Sequence, residues 1–485
     1  KKPSPTLVPG NNAFPIHPIL DRSLTPREAA RIQTFPDKFI VEGDRRTQCI
    51  QIGNAIPPMI GKVLGKTISK YAKKKSNLIK KTDVSKQSKK SKIGESILPI
   101  SKTSKLSSRD GFVDLFCGAG GFTIGFSKSG WRHLLAADNN EHVIQTHSHN
   151  YPSIPFFPED LSLEKNRKKL VSELKGEEIG VVVGGPPCQG FSIFGKRRFV
   201  NTRGHDPEKD SRNKLVYSFI DVVSNLSPRW FVMENVAGLA NLDDGLFLKN
   251  IVKKFKKLGY KNVEARILNT ADYGVPQLRK RLIIVGNKTG HVIPWPKKKF
   301  FNEPKDWQDP FCTIGQVISD LAEKSSYDKK TCHVPMFHKP LVVERYKMIP
   351  EGGKLDPESL PDKLKKGYRT NSIKNYSHIY KRLHRNKPAT TMVPGHNAFP
   401  IHPWLDRSLT VREAARIQTF PDEVEFIGPR QEQCIQVGNA FPPLVAEMLA
   451  NNIRKAEKNN WLPGKVPKSA YYSLLESPED FEPIA

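Results

Sequence analysis

Apolar runs of strand length alternate with longer amphipathic stretches through residues 110–286. Phe112–Phe116, Leu134–Ala137, Val181–Val183, Trp230–Met233 and Leu282–Val285 read as buried strands. Leu215–Leu226 and Gly245–Leu258 read as helices between them. This alternation predicts an α/β fold with a doubly wound sheet covered on both faces. Residues 287–386 break the rhythm. They are rich in Pro, Lys, His and Tyr with weak periodicity, which predicts a small, irregular separate domain. Beyond them, Ser408-Leu409-Thr410 precedes Arg412-Glu413-Ala414-Ala415-Arg416, a capping residue ahead of strong helix formers.

The same pattern occurs once before. Residues 3–58 align without a gap on residues 388–443, and about 40 of 56 positions are identical. Asp21-Arg22-Ser23-Leu24-Thr25 falls on Asp406-Arg407-Ser408-Leu409-Thr410, and Gln51-Ile52-Gly53-Asn54-Ala55 on Gln436-Val437-Gly438-Asn439-Ala440. Two copies so far apart are not a solenoid. The first is expected to be the tail of a preceding, related unit or a permuted segment. The expected organisation is therefore a partial repeat at 1–61, a Lys/Ser-rich linker at 62–109, a catalytic domain at 110–286 and a second domain at 287–386. A returning C-terminal segment at 387–456 and a tail at 457–485 complete it.

The formal charge of +29 changes the picture only after it is divided. Residues 62–109 contribute +13 of it, as a solvated linker would; the rest favours a polyanionic partner, most simply nucleic acid. No apolar stretch is long enough to span a bilayer, and the first residues lack a signal-peptide core. A cytoplasmic protein without a membrane partner is expected. Six cysteines without C-x-x-C spacing predict reduced thiols. Cys312, Cys332, His333 and His338 match no standard zinc pattern, so no metal is expected.

Four motifs carry chemistry. The first run leads into Asp114-Leu115-Phe116-Cys117-Gly118-Ala119-Gly120-Gly121, a turn that lets backbone amides approach a ligand where open sheets bind. Asp138, after the second run, suits ribose hydroxyls, and Asp160, after a third strand that precedes Val181–Val183, an adenine edge. Gly184-Gly185-Pro186-Pro187-Cys188-Gln189 places a cysteine at a rigid loop tip, where a thiolate would be a nucleophile rather than packing. Glu234-Asn235-Val236 places a carboxyl on the same edge, either an acid toward a ring nitrogen or a helix cap. In Gln277-Leu278-Arg279-Lys280-Arg281, alternation puts both arginines on one face for bidentate contacts.

In this order, and followed by R-x-L-T-x-R-E-A-A-R-x-Q-T-F-P-D and Q-x-G-N-A, these motifs resemble the cytosine carbon-5 DNA methyltransferase family of the bacterial restriction–modification type. The resemblance covers residues 110–455. It implies a Rossmann-like S-adenosylmethionine-dependent methyltransferase fold, with residues 287–386 as a target-recognition domain. It implies methyl transfer from S-adenosylmethionine to carbon 5 of a flipped-out cytosine in double-stranded DNA. Cys188 would add to carbon 6, Glu234 would hold ring nitrogen 3, and Arg279 and Arg281 would grip the base and its loop. Phe116, Gly118, Gly120, Asp138, Asp160 and Leu215 would line the cofactor site, closed by Asn439. Residues 191–213, with Arg197 and Asp210-Ser211-Arg212-Asn213, would close over DNA. Within residues 287–386, Arg369, Asn371, Lys374, Tyr376 and His378 are of types able to contact base edges or phosphates, and the resemblance assigns none of them.

Two other functions fit parts of this pattern. A transfer-RNA methyltransferase shares the chemistry, but the hundred-residue variable region favours DNA. A catalytically silent DNA-binding relative would have lost the cysteine or the glycines, and both are present. A monomer is expected, in a system that also holds a restriction endonuclease. Asn54 matches Asn439, yet one cofactor pocket admits one of them, and the C-terminal copy is expected to dock. Deletion of residues 1–109 should therefore leave methylation of duplex DNA intact, as read by methyl incorporation; loss of activity would refute it.

Overall fold

The strongly apolar runs become the middle of a seven-stranded sheet in the computed structural model, which describes residues 14–63, 110–187, 214–306, 308–323, 327–365, 380–393 and 399–463. The chain divides into two compact units, Lys1–Ile93 and Gly94–Ala485. The first contains α1 (Pro26–Ile32) and α2 (Arg45–Asn54). In the second, β1 (Gly111–Leu115), α3 (Gly121–Lys128), β2 (Arg132–Ala137), α4 (Glu141–Asn150) and β3 (Phe156–Phe157) come first. They are followed by α5 (Glu164–Glu173), β4 (Ile179–Gly184), α6 (Lys214–Leu226), β5 (Trp230–Val236) and α7 (Leu246–Lys257). β6 (Asn262–Asn269), β7 (Gln277–Leu278) and β8 (Lys280–Asn287) end this half.

The sheet order is β3-β2-β1-β4-β5-β8-β6. The first five are parallel, whereas β8 runs antiparallel to both β5 and β6. Sequence reading missed β6 because only its Leu268 is fully buried, so it carries no continuous apolar run. β5 is also longer than predicted: Glu234 lies within the strand and not beyond it. Alternation assigns each strand's residues to opposite faces. Val113, Leu115, Phe231 and Met233 enter one buried cluster, and Phe112, Val181, Trp230 and Val232 the other. Helices α6 and α7 cover the first cluster through Val216, Phe219, Phe247 and Ile251.

After β8 come β9 (Phe300–Phe301), β10 (Asp309–Pro310), α8 (Ile314–Ile318), α9 (Pro340–Lys347), α10 (Asp362–Lys365) and β11 (Ala389–Thr390). Helices α11 (Val411–Ile417), α12 (Arg430–Asn439) and α13 (Pro443–Lys458) complete the described chain. One buried cluster joins Ile314, Ile318, Cys332 and Leu383 to Met392, Leu409, Ala415 and Val437, and so crosses residue 386. His333 is spent within this region, its two ring nitrogens 2.8 Å from Thr410 Oγ1 and 2.8 Å from the Leu321 carbonyl.

Helix α13 covers the second face of the sheet by lying directly on α3. A Cβ at Gly121 would fall 1.9 Å from the Phe441 carbonyl oxygen, and one at Gly125 2.5 Å from Ala446 Cβ. Only glycine permits so close an approach. Around it, Phe122 and Phe441 stack at 4.7 Å, Trp131 Nε1 donates to the Ala450 carbonyl, and Arg454 pairs with Asp110 at 2.9 Å.

The two repeat copies share their internal geometry. Thr25 and Thr410 each cap a helix and form a capping box with the glutamate three residues on. Arg22 clasps Glu28 as Arg407 clasps Glu413, and Arg31 binds Asp37 as Arg416 binds Asp422. Thr34 and Thr419 adopt the same positive φ, 66° and 65°. Their surroundings differ: Glu413 is fully buried and Glu28 is not.

Replacing Gly125 by alanine should open this seam at a cost of roughly 1–3 kcal/mol. All six tryptophans lie in the second unit, so their fluorescence during denaturant unfolding follows that unit alone. An unchanged unfolding midpoint would refute the close approach.

Candidate functional site

Strand register brings the motifs to one edge. Leu115 pairs with Ala137 and Gly184, Ala137 with Phe157, and Gly184 with Met233. The residues that leave this row are Phe116, Asp138, Gly185 and Glu234, with Asp160 three positions past β3. Antiparallel β8 completes the edge, placing Ile283 opposite Glu234 and Arg281 opposite Val236.

On the β1–β2 side, Phe116 and Gly118 both have positive φ, and Gly120 turns the chain into α3 at φ 87°. The Gly118 amide donates to Asp138 Oδ2 at 3.1 Å, and the Asn140 amide to Oδ1 at 3.0 Å. Both oxygens keep lone pairs for further donors. A side chain at Gly118 would meet nothing within 4 Å, so the turn faces open space. Burial raises the Asp138 carboxyl above its ordinary range. Asp160 is turned inward on its own loop, accepting from the Ser162 amide and hydroxyl at 2.8 Å each. Leu215 is half-buried in the first turn of α6, and Asn439 is exposed at the end of α12.

Beneath the turn sits Asp114, fully buried. One oxygen accepts from Thr123 Oγ1 at 2.8 Å; the other has no protein partner. Burial pushes its carboxyl up to about 7. Burial likewise raises the Cys117 thiol, which keeps it protonated and unsuited to attack.

On the β4–β5 side, Glu234 Oε1 is paired with Arg281 Nε at 2.7 Å, both largely buried. A Cβ at Gly185 would lie 3.1 Å from Glu234 Oε2, so the glycine leaves room for the carboxylate beside the Gly185-Pro186-Pro187 loop. Asn235 Nδ2 donates to the Pro186 carbonyl at 3.1 Å and pins that loop. Cys188 lies outside the described residues, as do 191–213 and Arg369, Asn371, Lys374, Tyr376 and His378.

The two arginines divide their work. Arg279 is 1% exposed and donates to the carbonyls of Gly438 and Asn439 at 2.9 and 3.2 Å. It holds the last turn of α12 and is not free for a base; Arg281 holds Glu234. Burial depresses both guanidinium groups from their ordinary values. Three contributors escaped sequence reading. Asn235 and Thr123 stood inside or beside quoted motifs, but nothing in the string shows a side chain bonding to a neighbouring loop. Gly185 had a signal in its doubled glycine.

The model of the C-5 cytosine-specific DNA methylase family matches residues 2–70 and 111–455. The chain belongs to this family. The methylase is 35% identical over 352 residues to the Type II methyltransferase M1.HphI of Haemophilus parahaemolyticus, a match covering 72% of this chain and 87% of that protein. It is 34% identical to the Type II methyltransferase M.DdeI of Desulfomicrobium norvegicum, over 70% of this chain and 88% of that protein. Among solved structures, a DNA modification methyltransferase encoded within an E. coli prophage shares the fold at a TM-score of 0.53 and 24% identity. That match spans 72% of the methylase and 99% of the other chain. The methylase is thus a DNA cytosine-5-methyltransferase of the Type II restriction–modification kind, with the expected methyltransferase fold. No helix among its described residues is long and apolar enough to cross a membrane.

The Asp114 carboxyl gives a pH test. Between its ordinary 3.8 and about 7, the folded methylase holds a proton that the unfolded chain has released. Stability from this group is therefore lost as pH rises through that window. Asp114→Asn removes the dependence, so the variant should gain on the wild type from pH 4 to 7 and then keep a constant lead. Urea titrations at several pH values check it; a gap independent of pH would refute it.

Proposed function

We propose that the methylase transfers the methyl group of S-adenosylmethionine to carbon 5 of a cytosine turned out of duplex DNA, through a covalent bond to Cys188. The observation that carries this reading is the Arg281-held carboxylate of Glu234 beside the Gly185-Pro186-Pro187 loop, one residue before Cys188. The glycine turn at Gly118 lies on the same sheet edge.

Cytosine carbon 5 is a weak nucleophile. Attack of a Cys188 thiolate on carbon 6 forms the S–C6 bond and moves the ring's electrons toward carbon 5 and nitrogen 3. Glu234, oriented by Arg281, accepts from the exocyclic amine and shares a proton with ring nitrogen 3, which neutralises the charge that reaches it. With the methyl group taken by carbon 5 as its bond to the donor's sulfonium sulfur breaks, loss of the carbon 5 proton to water and cleavage of the S–C6 bond would restore the ring and the thiolate. Inside a duplex the stack covers both carbons, so the base must leave it.

The residues at the β1–β2 edge fit the cofactor. Space above Gly118 admits a ligand against the backbone, Asp138 retains acceptor capacity for ribose hydroxyls, and Phe116 and Leu215 offer apolar surface. Asp160 accepts at the neighbouring edge, and Asn439, tethered through Arg279, closes the side reached by α12. When bound, S-adenosylmethionine supplies an electrophilic methyl group. The chain supplies position and exclusion of water.

The recognition surface falls to residues 287–386 and the cover over DNA to residues 191–213. The names of the Type II relatives support a protective role against a restriction endonuclease in a prokaryotic cytoplasm, with the methylase acting as a monomer on double-stranded DNA.

Cys188→Ser should abolish methyl transfer to duplex DNA. It should also abolish the stable adduct expected with DNA carrying 5-fluorocytosine, whose carbon 5 has no proton to lose. Glu234→Gln should lower turnover by about 10²–10⁴. An adduct that survives Cys188→Ser would refute the covalent route.

A further inference from the structure

The first unit carries an apolar face that its own fold leaves uncovered. Ile56, Met59, Ile60 and Val63 are each more than half exposed. At the same places in the second copy stand Phe441, Leu444, Val445 and Met448, and there the face is occupied. Phe441 and Val445 are buried, and Leu444 and Met448 pack on the same cluster, against Phe122, Phe126 and Trp131. The first copy also keeps the small residue that the seam requires, with Gly61 at the place of Ala446, which Gly125 abuts. Its internal hydrogen bonds, ion pairs and even the strained threonine are those of the docked copy.

Charge distinguishes the two copies. Arg454 ties α13 to Asp110 at 2.9 Å, and the sequence of the first copy has Ser69 at that place. Lys62 likewise replaces Glu447. Residues 399–458 close the core at 110–387, and the first copy differs from them in charge at these two places.

We propose that residues 14–63 form a second closing segment, whose face from Ile56 to Val63 seats on the glycine-bearing first helix of another C-5 cytosine methylase core. The occupant is a strand–turn–helix with glycines where this chain has Gly121 and Gly125, and with an apolar residue at the place of Phe122. The inference rests on family membership and on the seam, not on the role of Cys188.

The chain's own core serves as the probe once its resident segment is loosened. Phe441→Ala in the full chain removes the stack on Phe122. In that background Ile56→Asp should lower methylation of duplex DNA by about tenfold more, whereas in the wild type it should change activity less than about twofold. Cysteines at Ile56 and Phe122 should form a reducible cross-link in the Phe441→Ala chain and not in the wild type. Met448→Ala is a milder loosening that gives the same comparison if Phe441→Ala does not fold. Equal activity with and without Ile56→Asp, together with no cross-link, overturns the proposal. So does a dimer cross-linked only between two copies of position 56. Wild-type activity that persists in Ile56→Asp alone keeps the catalytic reading separate from this one.

Discussion

The methylase depends on one close approach. Two glycines in the first helix after β1 allow the backbone around Phe441 and Ala446 to come nearer than any other residue would permit. This contact covers the second face of the sheet and brings back a segment hundreds of residues distant. Burial of Phe122, Phe126, Trp131, Val445 and Leu449 follows from it, and dispersion in so dense a seam rewards fit more than area. Because Gly121 adjoins the turn that contains Gly118 and Gly120, the same contact fixes where a ligand can meet the sheet.

A second tie runs through charge. Arg279 is buried with its guanidinium on the last carbonyls of α12, where a helix presents partial negative charge. Two residues on, Arg281 holds Glu234. A short piece of chain before and into β8 thus couples the end of the returning segment to the carboxylate proposed for catalysis. Disturbing either arginine leaves acceptors without their donors in an apolar setting, which is costly.

Much of this was legible in the string of residues. Uninterrupted apolar runs located five strands, because strands buried on both faces cannot alternate with polar positions. The glycine turn, the Gly185-Pro186-Pro187 loop and Glu234 stood out by residue type and meet at one sheet edge, while Cys188 lies outside the described residues. Three things were hidden. β6 is a half-exposed edge whose composition resembles a loop. Arg279 looked like a ligand-binding cation because its carbonyl partners lie 160 residues away. Asp114 looked like one polar interruption in a strand, yet burial pushes its carboxyl up to about 7 against the pull of the Thr123 hydroxyl. For Arg279 a partner distant in sequence decided the role, and for β6 and Asp114 the degree of burial did.

One short pairing has a wider consequence. β7 and β11 lie side by side in parallel, Gln277 with Ala389 and Leu278 with Thr390. Between them the chain passes through β8 of the seven-stranded sheet and then through residues 288–388 before it returns beside β7. Such an excursion can be lengthened, shortened or exchanged at little entropic cost, since closing a loop becomes only slowly harder with its length. If residues 287–386 read DNA as proposed, divergence there is uncoupled from the machinery that does the chemistry, and a lineage can acquire new target sequences without rebuilding its engine.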